Sequence, residues 1–216
     1  MGLPLQLKLV LKPLINRILA DYTPNCMPTR ELINLQYIID ADGFVEAATQ
    51  IASPNYDQRP ENISIDLIVI HNISLPPNIY GGSGVVQLFT NQLNPNEHPY
   101  YAEIYTRKVS SHFFIQRNGE LMQFVSCLQR AWHAGVSSWN NRERCNDFSV
   151  GIELEGRDDE AFEAAQYQML NDLIKVLKKT YSIQQVVGHS DIAPGRKTDP
   201  GPFFNWAKIH GINTAL

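Results

Sequence analysis

The stretch IDLIVIHN, residues 65–72, decides the architecture. It is short, rich in β-branched residues and almost continuously apolar up to His71, whereas a strand with one wet face alternates apolar and polar residues. It therefore reads as a buried strand of a sheet covered on both sides, with a histidine at its exit. FSVGIELEG (148–156) and QQVVGH (184–189) read the same way. The first carries Glu153 and Glu155 on one face, because side chains alternate with period two, and the second ends on His189. Between them Phe162, Ala165, Leu170, Leu173, Ile174 and Leu177 mark a long amphipathic helix, with Asp158, Asp159 and Glu160 at its expected start and Lys178 and Lys179 at its end, as the helix dipole favours. SSHFFIQRNGELMQFV (110–125) predicts a hairpin closed by Asn118-Gly119 in a type I′ turn, with His112 on its first strand. SLPPNIYGGSG (74–84) is a loop, and VVQLFTNQL (85–93) keeps Val85, Leu88 and Phe89 at helical spacing. The expected fold is α/β (α+β), a single mixed β-sheet flanked by helices.

Composition narrows the function. The chain has 216 residues, 44% hydrophobic and 19% charged, and a formal net charge of −4. That is the composition of one globular domain, without the basic field that nucleic acid requires. Cys26, Cys127 and Cys145 are odd in number and form no CxxC pair, which argues against a disulfide framework and a thiolate metal site and points to reduced thiols in cytoplasm. No run reaches the roughly 18 apolar residues of a transmembrane helix. The leucine-rich start, MGLPLQLKLVLKPLINRILADY, is interrupted by Lys8, Lys12 and Pro13 and lacks a small-residue cleavage site, so it does not read as a signal peptide. It is read as an amphipathic surface helix, as an upstream extension preceding a natural start at Met27, or as a structural helix.

The chemistry gathers on GHSDIAPGRKTDPG, residues 188–201, too rich in Pro and Gly for one continuous element. A catalytic zinc site takes three ligands from His, Asp, Glu or Cys and keeps a position for water. His71, His189 and Asp199 supply two neutral imidazoles and one carboxylate, a set that leaves the ion net positive and able to acidify water. From the residues alone His98, His112, His133 or His210 could stand in for either histidine. Glu153, on an apolar strand, is costly to bury unless paired or functional, and would serve as general base. Lys197, between two expected ligands, is a candidate to stabilise an oxyanion.

The blocks HNISLPP (71–77), SSHFFIQRNGE (110–120), AWHAGVSSW (131–139), RERCNDFSVGIELEG (142–156) and GHSDIAPGRKTDPGPFFNW (188–206) resemble those of the zinc-dependent N-acetylmuramoyl-L-alanine amidases. They are most similar to the cytoplasmic branch that acts on 1,6-anhydro-N-acetylmuramoyl-L-alanine compounds in peptidoglycan recycling. The resemblance runs from about Gly43 to the C-terminus, leaving 1–40 as an N-terminal extension and 41–216 as the zinc amidase domain. It implies the amidase and peptidoglycan-recognition-like fold, with Zn2+ on His71, His189 and Asp199, Glu153 and Lys197 as catalytic residues, and His112 and His133 near the metal but not on it. It further implies substrate contacts at Asn72, Phe89, Tyr100, Trp132 and Arg144. Aromatic faces suit a sugar ring, and guanidinium suits the carboxylates of a stem peptide. Lys108 stands where arginine is expected in this branch; it keeps the charge and loses the bidentate fork.

Two other readings share these residues. An envelope amidase acting on polymeric murein would have the same metal site, but the export signal and wall-binding repeat expected of one are not seen. A non-catalytic peptidoglycan-sensing module would keep the groove, but such modules commonly lack a metal ligand, and here all five site residues are present. The expected partner is a small soluble muropeptide, with neither nucleic acid nor a protein partner inferred.

Overall fold

A computed structural model describes residues 38–211. The readings of the N-terminal leucine-rich segment and of Met27 fall outside these residues. Among the described residues ten strands are formed: β1 (Thr49–Gln50), β2 (Tyr56–Gln58), β3 (Leu67–Ile73), β4 (Phe113–Ile115), β5 (Leu121–Gln123), β6 (Gln129–Ala131), β7 (Ser138–Trp139), β8 (Arg142–Glu143), β9 (Ser149–Glu155) and β10 (Gln185–Gly188). The helices are α1 (Gly84–Phe89), α2 (Pro99–Ile104), α3 (Ala164–Thr180) and α4 (His189–Ile192), with short 3-10 turns at Cys145–Asp147 and Trp206–Lys208.

Six strands make the main sheet in the order β1-β5-β4-β9-β3-β10. All its pairings are parallel except β4 with β5. The three apolar runs of the sequence are the adjacent strands β9, β3 and β10. Side-chain alternation splits each of them between two covered faces, as a parallel centre requires. On one face Ile68, Ile70, Val150, Ile152, Leu154 and Val186 meet Leu170, Leu173, Ile174 and Leu177 of α3. On the other, Leu67, Val69 and Val187 pack on Ala134, Cys145, Phe148 and Ile192. His71 and Glu153 share the parity of this second face. Ile152 is wholly buried in the first layer. Ile152→Ala is expected to cost about 2–5 kcal/mol, read as a lower urea midpoint at unchanged slope.

Two local expectations are corrected. In the β4–β5 hairpin only Gly119, with φ 87°, takes a positive φ. Its N–H donates to Gln116 O (2.9 Å) while Gln116 N–H donates to Glu120 O (3.0 Å). This is a longer loop with glycine in the left-handed position, not a type I′ turn. His112 lies one residue before β4, although its carbonyl continues the ladder by accepting Phe124 N–H at 2.9 Å. Helix α3 starts later than expected, at Ala164, where Gln166 Oε1 accepts the Glu163 N–H at 3.0 Å. Asp158, Asp159 and Glu160 lie in the preceding turn, where Asp158 accepts from Asn72 and Glu160 from Tyr80. Ala165 is exposed, while Lys178 and Lys179 do close the helix. Among the described residues no helix is long and apolar enough to cross a membrane, and Cys127 and Cys145 are free and buried.

Candidate active site

Strand register brings the chemistry together. His71 is paired across the sheet with Glu153, and Ile70 with Gly188, so His189 falls in the same row one step further on. Neighbouring strands are about 4.8 Å apart. The row His189, His71, Glu153 therefore crosses the carboxyl ends of three parallel strands, where open α/β sheets bind their ligands. Asp199 arrives from the loop after α4, whose return is held by Ser190 N–H donating to Asp199 O at 2.9 Å. Its close approach needs Gly188, where a Cβ would come within 2.8 Å of Pro200 Cδ. Gly188→Ala is expected to push the 199–200 turn outward and weaken metal uptake, at a fold cost of about 1–3 kcal/mol. Metal titration beside thermal unfolding separates the two effects.

Three donor atoms converge. His71 Nδ1 is 2.9 Å from His189 Nδ1 and 3.1 Å from Asp199 Oδ2, and His189 Nδ1 is 3.0 Å from the same carboxylate oxygen. This is the one group of His, Cys, Asp or Glu side chains among the described residues whose donor atoms gather so closely. The surroundings say what the triangle is for. His189 Nε2 faces the carbonyl of Ala134 at 3.0 Å, which only accepts, so the neutral ring has its proton there and a lone pair on Nδ1. That lone pair points at a carboxylate oxygen. Such a pair is repulsive unless a cation stands between the two atoms. Burial pushes the His71 imidazolium pKa down to about 4, despite the Asp199 carboxylate that favours the charged form, so this ring is neutral at pH 7. Burial raises the Asp199 pKa and proton-bearing His189 and His71 rings lower it below the usual carboxylate range, a stabilisation that a cation supplies instead when both Nδ1 atoms carry lone pairs. Two neutral imidazoles and one carboxylate fit a divalent metal of borderline softness.

Glu153 is buried on β9, and its Oε2 has no hydrogen-bond partner in the protein. Burial raises its pKa well above the usual carboxylate range, Asp199 raises it further, and the Lys197 ammonium works the other way. Lys197 itself is exposed, and its backbone N–H closes the loop onto Ala193 O at 3.1 Å. An orphan carboxylate beside three convergent donor groups, with a lysine charge acting on both, has the chemistry to take up and return a proton.

The expected substrate contacts divide. Trp132 and Arg144 line a cleft of about 200 Å³ with Arg130, Gly135, Asn146 and Asp147. Arg144 is exposed in a left-handed conformation (φ 61°). Asn72 donates to Asp158 Oδ1 at 2.7 Å and to Pro200 O at 3.1 Å, tying the end of β3 to the Asp199 turn. Tyr100 is half-buried on α2 and Lys108 is exposed. Phe89 is corrected: its ring is buried edge-on to Phe124 in an apolar cluster with Leu88 and Phe114, so it offers no face to a sugar. His98 caps α2 by accepting Tyr100 N–H at 3.1 Å, and His210 is exposed near the end of the chain; neither belongs to the convergent group.

Two arginines escaped the sequence reading. Arg130 grips Asp57 with two hydrogen bonds (2.7 and 2.6 Å) and also reaches Asp147, building the cleft wall. Arg59 is half-buried and donates to Cys127 O from Nε (3.2 Å) and again from a terminal nitrogen (3.1 Å), to Asn146 O and Asp147 O (both 2.9 Å) and to Ser149 O (2.8 Å), and it meets one side chain, His112 Nε2 (3.0 Å). No charge pattern in the sequence marks such a residue, because its partners are backbone carbonyls and one imidazole rather than carboxylates.

A convergent His-His-carboxylate set that could hold a metal ion, with a buried free carboxylate beside it, is an arrangement suited to hydrolysis. The sequence model of the N-acetylmuramoyl-L-alanine amidases matches residues 60–202, and the chain belongs to that family of amide hydrolases. It is 49% identical over 175 residues, covering 80% of this chain and 94% of the relative, to the 1,6-anhydro-N-acetylmuramyl-L-alanine amidase AmpD of Citrobacter freundii. A crystal structure of a selenomethionine AmpD derivative superposes with TM-score 0.77 at 50% identity, over 79% of this chain and 96% of that one. AmpDh3 of Pseudomonas aeruginosa, solved in complex with an anhydromuramic pentapeptide, superposes with TM-score 0.53 at 28% identity, over 73% of this chain and 64% of that one.

Proposed function

We propose that the protein is a zinc-dependent, cytoplasmic amidase that cleaves the amide between the lactyl group of 1,6-anhydro-N-acetylmuramic acid and L-alanine in soluble cell-wall fragments, within peptidoglycan recycling. The observation that carries the mechanism is the unpartnered Glu153 carboxylate in the same row as the three converging donors. The anhydro-sugar assignment draws support from the C. freundii relative and from the ligand of AmpDh3. The compartment draws support from the free, buried Cys127 and Cys145.

His71, His189 and Asp199 would hold the zinc ion, which when bound would supply Lewis acidity. Glu153 accepts a proton from a water molecule as its oxygen attacks the carbonyl carbon, then delivers it to the amide nitrogen as the C–N bond breaks. The products are a lactyl carboxylate on the sugar and a stem peptide with a free amino end. A carboxylate with a raised pKa takes up a proton more readily than an exposed one, which suits the first half of the cycle. The Lys197 ammonium offsets the negative charge that develops on the carbonyl oxygen. Trp132 offers a face to the sugar, and Arg144 and Lys108 offer charge to the stem-peptide carboxylates. Asn72 and Tyr100 border the site. The amidase domain is assigned to 41–216 and residues 1–40 to an extension, in keeping with the 80% of the chain that aligns with the C. freundii relative.

The substrate assignment is tested by incubating the protein with soluble anhydro-N-acetylmuramoyl-tripeptide and, separately, with intact murein sacculi. Cleavage of the soluble compound with little release from sacculi is the expected result. The reverse preference would reassign the protein to the envelope.

A further inference from the structure

We propose that His133 is a positioning residue for the metal ligand His71, and that the strip His133–Ala134 sets the tautomer of both imidazole ligands. This rests on the metal reading above. Hydrogen-bond direction carries it. The Nδ1 atoms of His71 and His189 are the ones that converge with Asp199, so each neutral ring needs its proton on Nε2. His189 gives that proton to Ala134 O at 3.0 Å. His71 Nε2 lies 3.0 Å from His133 Nδ1, which must accept, and this places the His133 proton on its own Nε2. There Ser149 Oγ accepts at 3.2 Å, and the Ser149 hydroxyl donates to Cys145 O at 2.6 Å. Every donor has an acceptor, and the series runs one way, from the ligand to a backbone carbonyl. Reversing it would require Ser149 to release Cys145 O and would move the His71 proton onto Nδ1, the atom that faces Asp199.

The fold holds the strip in place from two sides. Below the ring, β9 carries Gly151, where a Cβ would sit 2.5 Å from His133 Cγ; only glycine lets the imidazole lie on the strand beside His71. At the backbone, Asn146 Oδ1 accepts the N–H of His133 at 3.2 Å and of Ala134 at 2.8 Å. The segment around Asn146 is in turn held by Arg59 through the carbonyls of Asn146, Asp147 and Ser149. Outer partners that fix the tautomer of a ligand histidine are worth roughly 10–100-fold in metal affinity.

The test measures zinc affinity by competition with a chromophoric chelator on metal-stripped full-length protein, alongside nitrogen-15 NMR of the histidine tautomers. His133→Phe keeps a ring on Gly151 and removes the acceptor. Asn146→Asp keeps the oxygen that accepts both N–H groups, and Asn146→Leu does not. The expected result is zinc binding weakened about 10–100-fold in His133→Phe, with loss of the single Nε2–H signature of His71. Asn146→Leu should shift in the same direction, and Asn146→Asp should stay close to wild type. Wild-type affinity together with an unchanged His71 signature in His133→Phe would overturn the proposal. Should that variant not fold, equal affinities of the two Asn146 variants would overturn it instead. Wild-type protein that takes up no zinc would remove the metal reading itself, an outcome distinct from tight binding that the variants leave unmoved.

Discussion

Glu153→Gln is expected to lower kcat by about 10²–10⁴-fold while the protein still binds one zinc ion. The amide fills the same space at the same strand position but accepts no proton from water. The variant therefore separates metal binding from proton transfer, read by zinc stoichiometry beside turnover. Near-wild-type turnover with correctly loaded metal would remove Glu153 from the mechanism. Burial and the Asp199 charge hold the Glu153 pKa well above the usual carboxylate range, and catalysis requires the ionised form. Activity should therefore fall as pH drops through that raised value, and glutamine should abolish this acid limb in whatever activity remains. Stability runs in the opposite sense. A carboxyl whose folded pKa is raised contributes stability below its unfolded pKa and loses it as pH rises through the folded value. The metal-free Glu153→Gln protein should thus melt higher than metal-free wild type at neutral pH, a gain in stability at the expense of activity.

Asp199→Ala is expected to lose zinc and activity together. It removes the carboxylate that both histidine Nδ1 atoms face at 3.0–3.1 Å, along with the ligand set's negative charge. The fall in zinc affinity should exceed the roughly 10–100-fold that an outer partner contributes. Turnover at fixed zinc should fall with it and recover only partly at high zinc. This contrasts with Glu153→Gln, where metal stays and turnover goes. A variant with wild-type zinc affinity would mean that Asp199 orients the imidazoles without ligating, and the triangle would need another third donor. Competition titration of the two variants side by side makes the comparison.

The sequence was most legible where local pattern and tertiary role coincide. IDLIVIHN, FSVGIELEG and QQVVGH are apolar on both faces because β3, β9 and β10 are covered on both faces, and each run ends at or near a site residue. The three runs do not state their own order. The row His189-His71-Glu153 exists because β3 pairs with both β9 and β10, a long-range fact no local pattern encodes. Phe89 shows two signals in conflict: its helical spacing with Val85 and Leu88 marks a core residue, while family resemblance suggests a sugar contact, and packing decides for the core. The sequence puts the start of helix α3 too early because Asp158, Asp159 and Glu160 suit a helix start. Asp158 and Glu160 are instead engaged by Asn72 and Tyr80, and the side-chain cap falls at Glu163 and Gln166. Arg59 and His133 were the least legible. Arg59 acts through carbonyls and the His112 ring rather than through carboxylates, and the work of His133 depends on which ring nitrogen faces which neighbour.

Release of stem peptide from anhydro-N-acetylmuramoyl-tripeptide by metal-stripped protein titrated with zinc tests the central claim most directly. Activity absent without metal, rising in proportion to added zinc and levelling at one equivalent, is the predicted result. Hydrolysis that proceeds equally well in excess chelator, or fully loaded protein that leaves the amide intact, would contradict it.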